Sequence, residues 1–324
     1  MGFRECESVL RFHVEGNSMH AISTCWKSAG AKAGNDIIGP IMDLGVTAIE
    51  LDYRITEEVF NDMLPALRRG KPAVVSVHNY FPVPAVLTPA EASGDAFLLS
   101  STEREERERA VRYTLRTLQC AHEVGASAVV LHLGKTDIED DFSGLKEEYE
   151  KGTLASERTQ AHVREILETR ARAGRKHVEA ALFSLDRLWK PAERLGITLG
   201  VENRYYVREF PNCDDLTIIL EKFEGSNIAY WHDVGHAVVQ ETLYGINHED
   251  LLSRFAATLI GIHLHDAAGT RDHRAPGKGN VDFGFVAKYL LQDAIHVIEV
   301  SPDVSAEELE EGIQFLSGNV LPRG

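Results

Sequence analysis

The chain is short of cysteine, of basic charge and of long apolar runs, and each shortage removes a class of protein. Only four cysteines (Cys6, Cys25, Cys120 and Cys213) occur in 324 residues, far apart and with no Cys-x-x-Cys pair. That pattern excludes a disulfide scaffold, and the four are read as reduced, structural thiols of a cytoplasmic protein. Lys and Arg number 34 against 50 Asp and Glu, a formal net charge of −16. Polyanions are bound chiefly by cations that displace their counterions, so no nucleic-acid partner is expected. No stretch approaches the roughly 18 apolar residues that span a bilayer. The first 20 residues carry charges throughout and lack the apolar run of a signal peptide, so no membrane partner is expected either. What is present suits a globular chain: 44% hydrophobic and 26% charged residues, enough for a large core.

At about 150 residues per domain the length permits two domains, but a single α/β barrel fits it as well. Short β-rich apolar runs decide between them. HAISTC (20–25), TAIELD (47–52), AVVSVH (73–78), AVVLHL (128–133), TLGVEN (198–203), IAYWHD (228–233), LIGIHLHD (259–266) and IHVIEV (295–300) read as eight strands. Helical patterns lie between them. The segment STEREERERAVRYTLRTLQCAHEVGA opens on a Ser/Thr cap and ends at Gly125; DDLTIILEKF, HEDLLSRFA and SAEELEEGIQFL are shorter. Strands alternating with helices imply parallel pairing through right-handed crossovers, and eight such units imply a (β/α)8 TIM barrel over 1–324 as one domain. A doubly wound sheet is the rival, but no Gly-rich dinucleotide turn follows the first strand. Two connections are long. Residues 79–100 read as a Pro-punctuated loop after strand 3. A mainly helical insertion at about 135–197 follows strand 4, with a long helix from about Ser156 to Leu195 interrupted near Gly174. Long loops of this kind are candidate lids.

Metal-ligating side chains recur at the ends of the strands. Strand 3 ends at His78, strand 4 at His132, strand 5 at Glu202 and strand 6 at Asp233, with His236 just after. Strand 7 carries His263, His265 and Asp266; Asp272 and His273 follow in its loop, and strand 8 carries Glu299. The C-terminal ends of barrel strands converge on one face, where catalysis sits. A Glu inside VIEV is an expensive buried charge unless paired or metal-bound. Clustered carboxylates repel one another unless a cation sits among them, and mixed His/carboxylate ligation suits Mn, Zn, Co or Fe better than Ca. A divalent metal ion is therefore expected. His13, His122, His162, His177, His248 and His296 lie in helical or peripheral segments and are read as structural.

At these residues the sequence resembles the xylose isomerase-like TIM-barrel superfamily, which groups sugar-phosphate isomerases and epimerases with endonuclease IV. The resemblance rests on LGVENR (199–204), WHDVGHA (231–237), GIHLHDAAGTRDHRAPGKGNVDF (261–283) and HVIEV (296–300). It implies a Glu, Asp, His, Glu metal quartet, carried here by Glu202, Asp233, His263 and Glu299, for Mn, Zn, Co or Mg. His263 fits the family's spacing to the loop acid Asp266, although His265 shares its face and the residues alone leave either as the ligand. His78, His132, His236 and His273 match further metal-binding positions of the endonuclease-like branch. In that branch the last loop acid stands two positions before the His; here Arg271 stands there, and the acid, Asp272, is adjacent.

The resemblance implies an isomerase or epimerase of a small sugar, sugar phosphate or related polyhydroxy ketone. The metal would polarise the carbonyl, and Glu202 and Glu299 would move the proton on the neighbouring carbon. His236, Arg271, His78 and His132 are the candidates for holding substrate oxygens, and Lys278 is a weak candidate for a phosphate. Trp26, Tyr80, Phe81, Tyr205, Tyr206 and Trp231 are candidate walls of the mouth. The alternatives are an endonuclease IV-like metal-dependent phosphodiester hydrolase, an inosose dehydratase-like lyase and a non-catalytic binding barrel. A carbohydrate substrate and a possible homo-oligomer complete the expectations.

Overall fold

The computed structural model describes residues 20–290 and 293–320. Cys6, His13 and the N-terminal segment read for a signal peptide lie outside the described residues. Eight parallel strands close a barrel in chain order: β1 (Ala21–Ser23), β2 (Ala48–Leu51), β3 (Ala73–His78), β4 (Ala128–Leu131), β5 (Thr198–Glu202), β6 (Ile228–Asp233), β7 (Leu259–Leu264) and β8 (Ile295–Ile298). Closure is made by β1 on β8, with Ala21 opposite Val297. Each strand coincides with one of the eight apolar runs.

The two faces of each strand do different work because side chains alternate. Outward residues such as Ile22, Ile49, Val129, Leu199, Tyr230, Ile262 and Ile298 join the main core beneath the helices. Inward residues stack in layers. The lower layer is Ala21, Ala48, Ala128, Val130, Trp231 and Val297. Trp231 fills the space that the alanines leave. Glycines on the two neighbouring strands admit it: a Cβ at Gly261 would stand 2.2 Å from the indole, and one at Gly200 2.9 Å. Two residues further along the same inward face come Glu50 after Ala48, His132 after Val130, Glu202 after Gly200, Asp233 after Trp231, His263 after Gly261 and Glu299 after Val297. The pleat alone therefore raises a polar layer directly above the indole.

The helix Glu157–Arg194 runs unbroken through Gly174, contrary to the expected interruption. Gly174 is there for space, since a Cβ would stand 2.4 Å from Nη1 of Arg170. Arg170 is buried and donates to Asp215 (2.6 Å) and to the carbonyls of Val207 and Glu209. At 1.5 Å per residue the helix is about 57 Å long. Its second half (Val178, Ala181, Leu185, Leu188) packs in the main core. Its first half packs in a separate cluster with Leu145, Val207, Val239, Leu243 and Tyr244, which roofs one side of the barrel's C-terminal end.

Candidate functional site

The inward polar layer brings together what the strands carried singly. Ligand atoms of Glu202, Asp233, His263 and Glu299 all lie within 4.8 Å of one another. His263 is the hub. Its Nδ1 faces Glu202 (2.8 Å), Glu299 (3.0 Å) and Asp233 (3.6 Å), and its Nε2 faces both oxygens of Glu50 (3.1 and 3.2 Å). Glu50, wholly buried on β2, also accepts from the Ser76 hydroxyl at 2.8 Å. A carboxylate behind one ring nitrogen fixes the proton there and turns the other nitrogen's lone pair toward a metal. Glu50 would in this way keep a proton on Nε2 of His263 and leave Nδ1 facing the other carboxylates.

His265 is arranged in the opposite sense. Its Nδ1 accepts the backbone N–H of His273 (2.9 Å), so its Nε2 must carry the proton that it shares between the two oxygens of Asp233 (3.0 Å each). Both nitrogens of His265 are thus engaged as the structure stands. His263 and His265 therefore differ in their partners, carboxylates at both ring nitrogens of His263 against one backbone N–H and Asp233 at His265, and each belongs to a group of side chains that could hold an ion. Gly235 seats His265, because a Cβ there would stand 2.1 Å from its ring.

Three further groups adjoin the hub; one is Asp233, His265, His273 and Glu299, and the other two flank it. His78, His132 and Glu202 form one, and His236, Asp272 and His273 the other. In the first, His78 directs Nδ1 at the carbonyl of Asn79 (3.0 Å) and His132 directs Nδ1 at Asp95 (3.1 Å). Both Nε2 atoms then face Glu202, at 3.7 and 2.7 Å. In the second, His236 directs Nδ1 at the carbonyl of Asn203 (3.1 Å) and Nε2 at Asp272 (3.8 Å). The adjacency of Asp272 and His273 does not keep them from meeting His236. His273 holds a left-handed backbone (φ 51°), pinned by its N–H on His265 and by its carbonyl on the N–H of Ser301.

Protons hold this acidic layer together. Burial alone would raise the carboxyl of Glu202, but His132 and His263 hold it well below the usual range. Burial works the same way at Asp233, where His236 and His265 prevail, and at Glu299, where His263 and His273 do. In return, and against burial, Glu299, Glu50 and Glu202 raise His263 well above its ordinary value. His132 is raised to about 9 against burial and Arg204, by Asp95 and Glu202. The donor set therefore calls for positive charge at its centre, which is the condition a divalent cation meets.

A cleft of about 380 Å3 opens above this layer, lined by Cys25, Tyr53, Arg54, His78, His132, Glu202, His236, Arg271, Asp272, His273 and Glu299, with residues 300–302. Arg271 stands at the exposed rim, paired with Asp303 (2.5 Å). Lys278 pairs with Glu311 and is not part of the lining. The expected aromatic walls lie elsewhere. Trp26 is buried against Val304, Tyr80 against Phe97 and Phe81 against Phe60. Trp231 is the floor, and Tyr205 and Tyr206 pack with Phe142 under the roof. Tyr53 is the aromatic side chain of the cleft instead, edge-on to His78 at 5.1 Å.

The residues missed in the sequence are those that hold the others. Asp95 comes from the loop after β3, whose Gly94 lies so close over His78 and His132 that a Cβ would stand 2.5 Å from the His132 ring. Arg204 is buried and ties Asp95 (2.7 Å), Glu209 (3.1 Å) and Glu202 (3.5 Å). Glu50 had the same signal as Glu299, a lone carboxylate in the apolar strand TAIELD. Asp95 and Arg204 had none beyond a loop acid and the base after LGVEN.

The model of the family described as xylose isomerase-like TIM barrel matches residues 40–318. No curated protein matches the chain. Among solved structures, a D-tagatose 3-epimerase-like protein superposes with a TM-score of 0.66 at 16% identity, over 93% of this chain and 96% of that one. The 3-keto-D-glucoside 4-epimerase of E. coli gives 0.65 at 14% identity, over 93% and 100% of the two chains. A D-allulose 3-epimerase from Methylomonas sp. gives 0.66 at 13% identity, over 94% and 98%. At these identities the superpositions speak to the barrel, and the matched span of 40–318 speaks to descent: the chain belongs to the xylose isomerase-like TIM-barrel family.

Proposed function

We propose that this protein is a divalent-metal-dependent isomerase or epimerase of a small polyhydroxy carbonyl compound. The observation that carries the reading is the convergence of Glu202, Asp233, Nδ1 of His263 and Glu299 under an open cleft, with Glu50 fixing the His263 tautomer. A divalent ion (Mn, Zn, Co or Mg) held by these four would polarise the substrate carbonyl and acidify the neighbouring C–H. Glu299, at the cleft surface, removes that proton, and Glu202 serves the opposite side of the substrate. Glu202 is the more tightly held, between His132 and His263. His236, His78, His132 and the rim residue Arg271 receive substrate hydroxyls, and the roof and the loop over His78 keep water away from the reacting carbon. The structural relatives named as sugar epimerases support the same substrate class. In this reading the protein acts in the cytoplasm on a free carbohydrate, with no nucleic-acid or membrane partner.

The test joins metal analysis to incubation of ketoses, keto-acids and inososes in deuterated water. Deuterium at the carbon next to the carbonyl is expected, and Glu299→Gln should abolish it. Exchange at full rate in that variant would overturn the assignment.

A second reading is favoured by the histidine tautomers. Nε2 of His78 and of His132 both face Glu202 with their Nδ1 atoms engaged, and His236, Asp272 and His273 also meet. The four histidines match positions of additional ions in the endonuclease IV-like branch, whereas Asp272 stands one place from that branch's loop acid, where this chain has Arg271. Two or three zinc ions per chain with cleavage of abasic DNA would establish that reading; about one ion with deuterium exchange would exclude it. Water loss from an inosose, with the same ion and base, would instead mark a dehydratase.

A further inference from the structure

We propose that the substrate carries an anionic group, a phosphate or a carboxylate, and that Arg54 receives it. This deepens the isomerase reading and rests on it for the rest of the substrate.

Arg54 follows β2 at the C-terminal end of the barrel and lines the cleft with one third of its side chain exposed. An arginine on such a turn has open solvent available and normally takes many rotamers. This one is fixed from three directions. Nη1 donates to Asp52 (3.1 Å), Nη2 donates to the Tyr53 hydroxyl (2.7 Å), and the guanidinium lies 4.5 Å over the Tyr53 ring. Asp52 is itself buried and held, accepting from the Ser28 hydroxyl (2.6 Å) and from the Arg54 backbone N–H (3.0 Å). A guanidinium has five N–H donors. Asp52 and Tyr53 take two, and the others, that on Nε among them, have no protein partner among the described residues. A fork held in place with open donors is suited to a planar or tetrahedral oxyanion.

The surroundings sharpen the assignment. Arg204 is buried under three carboxylates, and Arg271 is drawn to Asp303 on the rim. Lys278 is outside the cleft. Of the two arginines that line the cleft, Arg54 is thus the more buried and the one not drawn to the rim. It stands above a layer rich in carboxylates, so an anion entering without it would meet repulsion. With an ion at His263 and Arg54 on the wall, the two ends of a polyhydroxy acid or sugar phosphate find separate positive partners.

The test is calorimetric binding of three unreactive probes to the protein supplied with Mn2+: glucitol, glucitol 6-phosphate and gluconate. At least one of the two acids should bind at least about tenfold more tightly than glucitol, as one charge-assisted contact allows. The tighter acid identifies phosphate or carboxylate. Arg54→Gln should erase that preference while glucitol binding stays within about twofold, and Arg54→Lys, which keeps a charge for Asp52 but loses the fork, should retain part of it. Equal binding of all three probes, no binding of any, or an undiminished preference in both variants overturns the proposal. No turnover is read, so absence of deuterium exchange from every ketone with the charge preference intact sinks the isomerase reading alone. Exchange without the preference sinks this one.

Discussion

Replacing Glu50 by Gln isolates what the carboxylate behind His263 contributes. In the protein as it stands, both Glu50 oxygens lie 3.1–3.2 Å from Nε2 and one also takes the Ser76 hydroxyl. An amide of the same shape keeps one acceptor but turns an N–H2 toward either His263 or Ser76, and it removes the charge that makes Nδ1 a better donor to a cation. Removal of such a partner typically costs 10–100-fold in metal affinity. At 1.4 kcal/mol per factor of ten, that is about 1.4–2.8 kcal/mol. Fold integrity should survive, because Glu202, Glu299 and Asp233 still surround Nδ1 within 3.6 Å and continue to compensate its charge. The measurement is Mn2+ or Zn2+ titration against a chromophoric chelator for wild type and Glu50→Gln, with circular dichroism on both. A metal dissociation constant unchanged within twofold in a well-folded variant would show that His263 does not bind through Nδ1, and the proposed centre would fall with it.

Metal uptake should also release protons. Burial lowers His263, but Glu299, Glu50 and Glu202 raise it well above its ordinary value, so an ion on Nδ1 should displace a proton, about one per ion near neutral pH. Calorimetry in buffers of different ionisation enthalpy reads the number, and zero would contradict the ligand assignment. The sign follows: affinity rises with pH until His263 no longer needs to lose a proton. Gly174→Ala opposes two rules. Helix propensity alone favours it by about 1 kcal/mol, but the new methyl would stand 2.4 Å from Arg170 Nη1 and dislodge a buried ion pair. Loss of such a pair costs about 3–5 kcal/mol, so urea unfolding should show net destabilisation of about 2 kcal/mol or more, and any gain in stability would refute the account. Gly261→Ala should destabilise by about 1–3 kcal/mol through overpacking on Trp231, read from the same unfolding curves. Little change would mean that the indole has room to move.

The barrel was legible because its signals are local. Eight apolar runs of the right length sit between capped helices, and period two then assigns each residue to a face. The same arithmetic carried Glu202, Asp233, His263 and Glu299 to one end. It should also have carried Glu50, whose place in TAIELD is as costly as that of Glu299 in VIEV. Asp95 was not legible, since a loop that folds back over His132 leaves no periodic trace. Arg204 was visible as a base but not as the tie among Asp95, Glu209 and Glu202, two of which are remote or beyond a turn. The aromatic residues failed for another reason: large side chains near strand ends serve packing first, so Trp231 became the floor and Tyr80 and Phe81 joined the core. Gly174 read as a break because propensity counts only the helix and not the guanidinium packed against it.

The indole of Trp231 closes the barrel from below, 5.2 Å from the His263 ring and wholly out of contact with water. Among the described residues the indole is thus the bottom beneath the polar layer on which the cleft opens. An ion held at His263 would lie between this floor and the cleft, so an organic ligand in the cleft would cover it. A bound ligand would act as a stopper on the ion, slowing its escape without touching any of its ligands.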